Sequence, residues 1–248
     1  MDFLTTPEFA VLLGLIALAA ALYSAVGHGG ASGYLAAMAL LGVAPAVMKP
    51  AALVMNIAVA ALVFVRLRGA GYFNARLFWS FAAGSIPLAF VGGMLTLPGT
   101  HYKLLVGASL LIAATRLLWK TEDHEARTQP PLGVALVSGA ALGFLSGLTG
   151  VGGGIFLSPL LLFLRWANMR TTAAISAAFI LVNSVAGLAR HASVAVRWPA
   201  HLPLLVLAAL VGAVVGSELA VRRLAPTTLR RVLGVVLVIA GAKMLALA

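Results

Sequence analysis

Two glycine-rich turns interrupt apolar sequence, and their residue types suit the binding of an anion. The first reads Gly27-His28-Gly29-Gly30-Ala31-Ser32-Gly33 and the second, 123 residues later, reads Gly150-Val151-Gly152-Gly153-Gly154. Glycine lets a ligand approach the main chain closely, and a helix that follows such a turn directs unpaired N–H groups and its positive dipole end at that ligand. The turns therefore predict a site for a small anionic substrate, to which we assign Gly27, His28, Gly29, Gly30 and Ser32 from the first turn and Gly150, Gly152, Gly153 and Gly154 from the second.

Five polar side chains are candidates to complete this site. Lys49 precedes an apolar segment, where its ammonium either turns inward or reaches the membrane surface on its long stem. Asn56, Ser176 and Asn183 lie within apolar segments, where such groups either contact a substrate or tie neighbouring helices together. An unperturbed histidine side chain titrates near neutral pH, so His28 is a candidate for proton linkage or for donation to an anion, and its alternative role is structural.

The composition indicates an integral membrane protein. Of the 248 residues 62% are hydrophobic and 9% charged, and the mean hydropathy is +1.08, whereas a soluble domain has about 25% charged residues. The apolar runs lack the alternation of barrel strands, so we predict an all-α integral membrane protein. Its apolar segments are at 9–26, 30–47, 50–65, 77–97, 104–119, 132–149, 152–164, 171–189, 202–221 and 229–247, of which 30–47 and 152–164 are short or broken.

The formal net charge of +11 would indicate nucleic-acid binding in a soluble protein. Here the basic residues lie in short loops between the apolar segments, where they set topology and meet lipid headgroups. We therefore predict membrane lipid as a partner and no nucleic acid, and a homodimer stays open.

The second half of the chain can be laid over the first, which indicates an internal duplication. The two turns superpose, Gly92 pairs with Gly216, and Gly107 pairs with Gly234, at offsets between 123 and 127. Each half then reads as a helix, a glycine turn, a short helix and three longer helices. We predict a first membrane repeat at 1–120, a polar linker at 121–131 and a second membrane repeat at 132–248, integrated into one transmembrane domain.

Loop charge predicts how the repeats are oriented, because Lys and Arg accumulate on the cytoplasmic side. If each helix, turn and short helix returns to the side on which it began, as full crossings or as a re-entrant hairpin, the 17 basic residues divide 12 against 5. Each half then crosses an odd number of times, so we predict two inverted-topology repeats with both termini on the non-cytoplasmic side. The minority side carries Lys49, Lys103, Arg190, Arg197 and Lys243.

The acidic residues are informative by their positions. All six lie outside the middle of the apolar segments, at Asp2, Glu8, Glu122, Asp123, Glu125 and Glu218. Coupling to protons or sodium through an intramembrane carboxylate therefore has no obvious residue, which leaves protonation of the substrate or of His28, or uniport. The chain has no cysteine and no clustered histidines, so we predict neither a metal site nor a cofactor.

The second turn and its surroundings resemble a known family. The run from Gly147 to Leu160, GLTGVGGGIFLSPL, followed by the helix start Thr171-Thr172-Ala173-Ala174-Ile175-Ser176, is similar to the sulfite exporter TauE/SafE family of permeases. This resemblance implies a secondary transporter in the bacterial inner membrane that moves sulfite, a sulfonate or a related organic or sulfur-containing anion by alternating access. The first half departs from the pattern at His28, Ala31 and Lys49-Pro50.

Two other functions stay open at this point. Gly30-Ala31-Ser32-Gly33 matches the short pattern that presents the serine of rhomboid-like intramembrane proteases, with His191 as a conceivable base. The duplicated turn has no serine at the equivalent place, which speaks against an enzyme. A non-transporting membrane scaffold is the second alternative, and it would seal the two turns with packed side chains.

Overall fold

The computed structural model describes residues 6–25, 27–118, 126, 128–189, 201–222, 227–246 and 248. These residues form ten helices and include no strand, so the predicted all-α class is confirmed. Most of the predicted linker at 121–131 lies outside the described ranges. The helices are α1 (Thr6–Ser24), α2 (Ala31–Leu40), α3 (Pro45–Gly69), α4 (Ala75–Met94), α5 (Gly99–Leu118), α6 (Leu132–Thr149), α7 (Gly154–Phe163), α8 (Met169–Leu188), α9 (Leu202–Arg222) and α10 (Thr227–Ala246).

The helices fall into long spans and two short pieces. Within the described ranges, five segments are long and apolar enough to cross a membrane: Pro7–Ser24, Pro45–Gly69, Ala75–Met94, Leu132–Thr149 and Met169–Leu188. Helices α2 and α7 have 10 residues each, which is about 15 Å of helix against about 30 Å of hydrocarbon. Neither short helix crosses the membrane by itself, and each begins directly after a glycine turn.

Glycines bring two pairs of helices into close parallel contact. On α6 the glycines at 139, 143 and 147 face the backbone of α4, and on α9 those at 212 and 216 face the backbone of α1. Contacts advance in the same direction along both chains, since Gly139 meets Phe81 and Gly147 meets Ala89. Small residues allow this approach in membrane bundles. The first helix of each half therefore packs against the fourth helix of the other half.

Two further pairs join predicted counterparts and are antiparallel. Asn56 of α3 contacts Ser184 of α8, while Leu53, earlier in α3, lies near Gly187, later in α8. The two helices therefore run in opposite directions. In the same way Gly107 of α5 meets α10 at Gly241, and Leu118 meets it at Gly234. Helices α3 and α8 have the largest buried shares among the five described spans. They form the centre of the bundle, and the glycine turns lie against them.

Close packing between α4 and α6 makes a direct prediction about stability. Gly139→Ala is expected to lower the free energy of unfolding by about 1–3 kcal/mol, because its methyl group would collide with the Phe81 carbonyl oxygen. Gly133→Ala is the matched control, because the same change in the same helix has nothing within 4 Å. Denaturant unfolding of the purified protein in detergent measures both. Equal unfolding midpoints for the two variants would contradict this packing.

Candidate functional site

Both turns use glycine where the backbone requires it. Gly30 and Gly153, which precede α2 and α7, have φ angles of 98° and 77°, and Gly27, Gly150 and Gly152 also have positive φ. Residues with a Cβ adopt this left-handed region at a cost of roughly 1–2 kcal/mol. In both turns, glycine therefore stands where the backbone is left-handed, and each turn ends at the N-terminus of a short helix.

The two turns meet against the same two side chains at the centre of the bundle. A Cβ added at Gly29 would lie 2.6 Å from Asn56 Oδ1 and 3.0 Å from Ile180 Cγ2. A Cβ added at Gly152 would lie 2.8 Å from Asn56 Nδ2 and 2.8 Å from Ile180 Cγ2. Segments more than 100 residues apart are therefore held within contact distance of Asn56 on α3 and Ile180 on α8.

Asn56 joins the two turns through hydrogen bonds. The Ala31 N–H, at the start of α2, donates to Oδ1 at 3.1 Å. Nδ2 lies 3.4 Å from the Val151 carbonyl oxygen in the second turn and 3.4 Å from Ser184 Oγ on α8. The amide is fully buried, so each of these bonds replaces one that water would otherwise make. Asn56 thus contacts both turns and acts as a tie between them.

His28 leads from the first turn into the second half. Its Nε2 lies 2.8 Å from Ser158 Oγ on α7, and that hydroxyl lies 2.8 Å from Ser176 Oγ on α8 and 3.0 Å from the Gly154 carbonyl oxygen. All three side chains are buried, and Tyr23 on α1 presents its ring to His28 with centroids 6.4 Å apart. The structure thus brings His28 and Ser176 together through Ser158. Ser158 was not among the site residues predicted from the sequence. The available signal was a single serine in a short, otherwise apolar helix.

Lys49 points into the bundle. Its side chain is 9% exposed, and Nζ lies 3.5 Å from the carbonyl oxygens of Gly93 and Leu95 at the end of α4. A cation is stabilised there, because a helix C-terminus carries a partial negative charge. The Lys49 stem also borders the second turn, since a Cβ at Gly150 would lie 3.2 Å from Lys49 Cγ. Of the two alternatives for this residue, the structure shows the inward one.

Asn183 and Ser32 are buried but lie apart from the Asn56 tie. The Ser85 hydroxyl on α4 donates to Asn183 Oδ1 at 2.8 Å, while Nδ2 has no hydrogen-bond partner. Because α3 and α8 begin 124 residues apart, the helix starts align Asn56 with Ile180 and place Asn183 one turn further along. Ser32 lies in the first turn of α2 at 2% exposure.

Comparison with known proteins identifies the family. A model described as Sulfite exporter TauE/SafE matches residues 12–244. The chain belongs to this family. A relative from Sinorhizobium fredii (strain NBRC 101917 / NGR234), named "Probable membrane transporter protein y4hK", is 37% identical over 241 residues, covering 95% of this chain and 96% of that protein. No solved structure matches the chain.

The resemblance drawn from the second turn is therefore confirmed. This TauE/SafE protein is a multi-pass membrane transporter and not an enzyme. The protease hypothesis is wrong; the histidine it paired with Ser32, His191, lies outside the described residues.

Two of the six carboxylates of this TauE/SafE transporter lie in the described part of the chain, and both are exposed. Glu8 lies in the first turn of α1, and Glu218 lies near the end of α9. The Glu218 Oε2 lies 3.6 Å from Arg66 Nη1 on α3. The described buried polar groups around the turns are amides, hydroxyls, His28 and Lys49, so this region carries no carboxylate charge.

The same substitution is expected to destabilise the transporter more at one buried asparagine than at the other. Asn56→Leu is expected to destabilise the transporter by about 1–3 kcal/mol, because it leaves the Ala31 N–H and the Val151 carbonyl without their partner. Asn183→Leu is expected to cost less, because it removes an amide nitrogen that is already unpaired. Thermal unfolding in detergent compares them. A larger loss for Asn183→Leu would show that Asn56 does not hold the turns together.

Proposed function

We propose that this transporter is a secondary carrier for a small anion, such as sulfite, a sulfonate or a related organic or sulfur-containing anion. One observation carries the proposal: the N-termini of α2 and α7, each preceded by a left-handed glycine, converge on Asn56 and Ile180 inside the bundle. The first N–H groups of a helix lack intrahelical acceptors, and the dipole adds positive potential there. Two such ends at one buried point favour a negatively charged ligand.

The charges of the neighbouring side chains support the same conclusion. Lys49 is a buried cation whose stem borders the second turn and whose ammonium lies at the end of α4, and the described carboxylates are exposed at helix ends. Moving a negative ion into a low-dielectric region is costly unless positive charge and donors compensate it. This bundle offers those groups to an anion, whereas a cation would meet few compensating groups among the described residues.

Antiparallel pairing supports the inverted repeat. Helices α3 and α8 are predicted counterparts, as are α5 and α10, and each pair runs antiparallel. A two-fold axis that exchanges antiparallel partners runs perpendicular to them, which is parallel to the membrane plane. Together with the 12 against 5 division of basic residues, this arrangement supports our proposal of two inverted repeats in the inner membrane, with both termini on the non-cytoplasmic side.

The packing around the turns implies that the carrier moves to admit its substrate. Residues 27–33 are buried, and so are 148–155, and both turns abut Asn56 and Ile180. We infer from this burial an occluded arrangement in which the halves are closed on each other. Alternating access follows if one half moves against the other around the turns, opening them to each side in sequence.

Substrate class is tested by transport into vesicles. Proteoliposomes containing the carrier are expected to take up at least one of sulfite, thiosulfate, methanesulfonate, sulfoacetate and acetate faster than protein-free liposomes, because the site is electropositive and small. Sulfate is included as a doubly charged comparison. Uptake equal to that of protein-free liposomes for every anion would contradict the proposal.

Gly153 tests whether the turns themselves form the site. Gly153→Val is expected to abolish transport while the protein stays in the membrane, because valine is strained at this φ and its Cβ would lie 3.0 Å from Phe179 Cε1. Gly71→Val is the matched control, since Gly71 has a φ of 81° but nothing within 4 Å. Transport and membrane content are measured for both. Unchanged transport by Gly153→Val would count against a site at the turns.

A further inference from the structure

The duplicated architecture allows each residue near the turns to be compared with its counterpart. Helices α2 and α7 begin 123 residues apart, and α3 and α8 begin 124 residues apart. Contacts at the turns follow the same correspondence, because Gly27 packs on Ala173 while Gly150 packs on Lys49. The bundle thus contains two related positions, one on each side of the contact between the turns.

The two positions differ in chemistry. On one side lie His28, Ser158 and Ser176, which are linked by the 2.8 Å contacts described above. The counterparts of these residues are all apolar and buried: Val151, Leu35 and Ala52. The polar cluster therefore occurs on one side of the contact between the turns and has no equivalent on the other side. A polar cluster that merely followed from the duplicated fold would be present on both sides.

The polar cluster converges on one oxygen atom. Ser158 Oγ lies within hydrogen-bond distance of His28 Nε2, Ser176 Oγ and the Gly154 carbonyl oxygen. A hydroxyl has one proton to donate and two lone pairs to accept with. When Ser158 donates to its own helix at Gly154, a common arrangement for serine in helices, its oxygen accepts from both His28 and Ser176. Two side-chain donors then point at a single buried acceptor.

We propose that Ser158 Oγ occupies, in this arrangement, the place that a substrate oxygen takes when the anion is bound. When an oxyanion enters, the serine rotates to another staggered position, and one anion oxygen accepts from His28 Nε2 and Ser176 Oγ. This inference rests on the proposed transport of small anions and specifies how one such anion is held. The ligand class is an oxyanion, bound once per chain on the His28 side of the turns.

The surroundings of His28 suit this exchange. A neutral imidazole that carries its proton on Nε2 and an imidazolium both donate from Nε2. Among the described groups that face His28 are the Tyr23 ring on α1, Ser158 on α7 and, through it, Ser176 on α8. These groups carry no negative charge that would compete with the substrate.

The test measures the dissociation constants of sulfite and methanesulfonate for purified carrier variants in detergent by calorimetry. Ser158→Ala is expected to bind about three- to tenfold more tightly than the unmodified carrier, because the hydroxyl that competes for the two donors is gone. Ser176→Ala and His28→Leu are expected to bind about tenfold or more weakly, because each removes a donor to a charged acceptor. A purely structural cluster would not give changes of opposite sign.

Ser109→Ala is the matched control, since that hydroxyl donates to the Leu105 carbonyl oxygen one turn earlier in α5, and it is expected to bind as the unmodified carrier does. Ser158→Cys gives a second measurement if Ser158→Ala does not fold, because a thiol is a weak acceptor, and it is expected to change affinity in the same direction.

Equal or weaker binding by the Ser158 variant, or unchanged binding by Ser176→Ala, would overturn this inference and leave anion transport standing. If the unmodified carrier binds neither anion and transports none, the proposed function fails and this inference with it.

Discussion

Every backbone polar group inside a membrane must find a partner in the protein, and Asn56 is where this constraint is concentrated. Its oxygen accepts from the Ala31 N–H at the start of α2, and its nitrogen is directed at the Val151 carbonyl in the second turn. Two breaks in helical structure are thereby satisfied by one side chain on α3. Because the amide lies between the turns, any movement that separates the turns must also break these hydrogen bonds. Asn56 therefore couples the hydrogen bonding of the turns to the relative position of the two halves.

The duplicated backbone carries side chains that have diverged. Lys49 of α3 corresponds to Ala173 of α8, and His28 of the first turn corresponds to Val151 of the second. Three glycine positions, by contrast, are shared by both turns, at 27 and 150, 29 and 152, and 30 and 153, where a left-handed conformation or the close approach to Asn56 and Ile180 excludes a Cβ. The fold thus provides two helix N-termini by repetition, while hydroxyl, imidazole and ammonium groups are contributed unequally by the two halves.

Several features could be predicted from the chain because they depend on neighbouring residues. The apolar runs predict helices, and the structure places α1 to α10 within or close to those runs. Short helices α2 and α7 were foreseen at 30–47 and 152–164, since a glycine turn ends one helix and begins another. The exact counterpart of Asn56 could not be predicted in this way; helix starts 124 residues apart align Asn56 with Ile180 and not with Asn183. A shift of three residues changes which face of a helix a side chain occupies. Loop charge and hydropathy do not specify the alignment of the two halves to that accuracy.

The sequence by itself determined the membrane class, the helices, the repeated glycine turns and the family, because hydropathy and glycine conformation act over a few residues at a time. Only the tertiary structure decided that Ser158 joins His28 to Ser176, that Lys49 faces the end of α4, and that both turns share Asn56. His28 and Ser158 are 130 positions apart in the chain, and their contact depends on how α7 and α8 pack against the first turn. Such contacts follow from the packing of all the helices together, which no local pattern encodes.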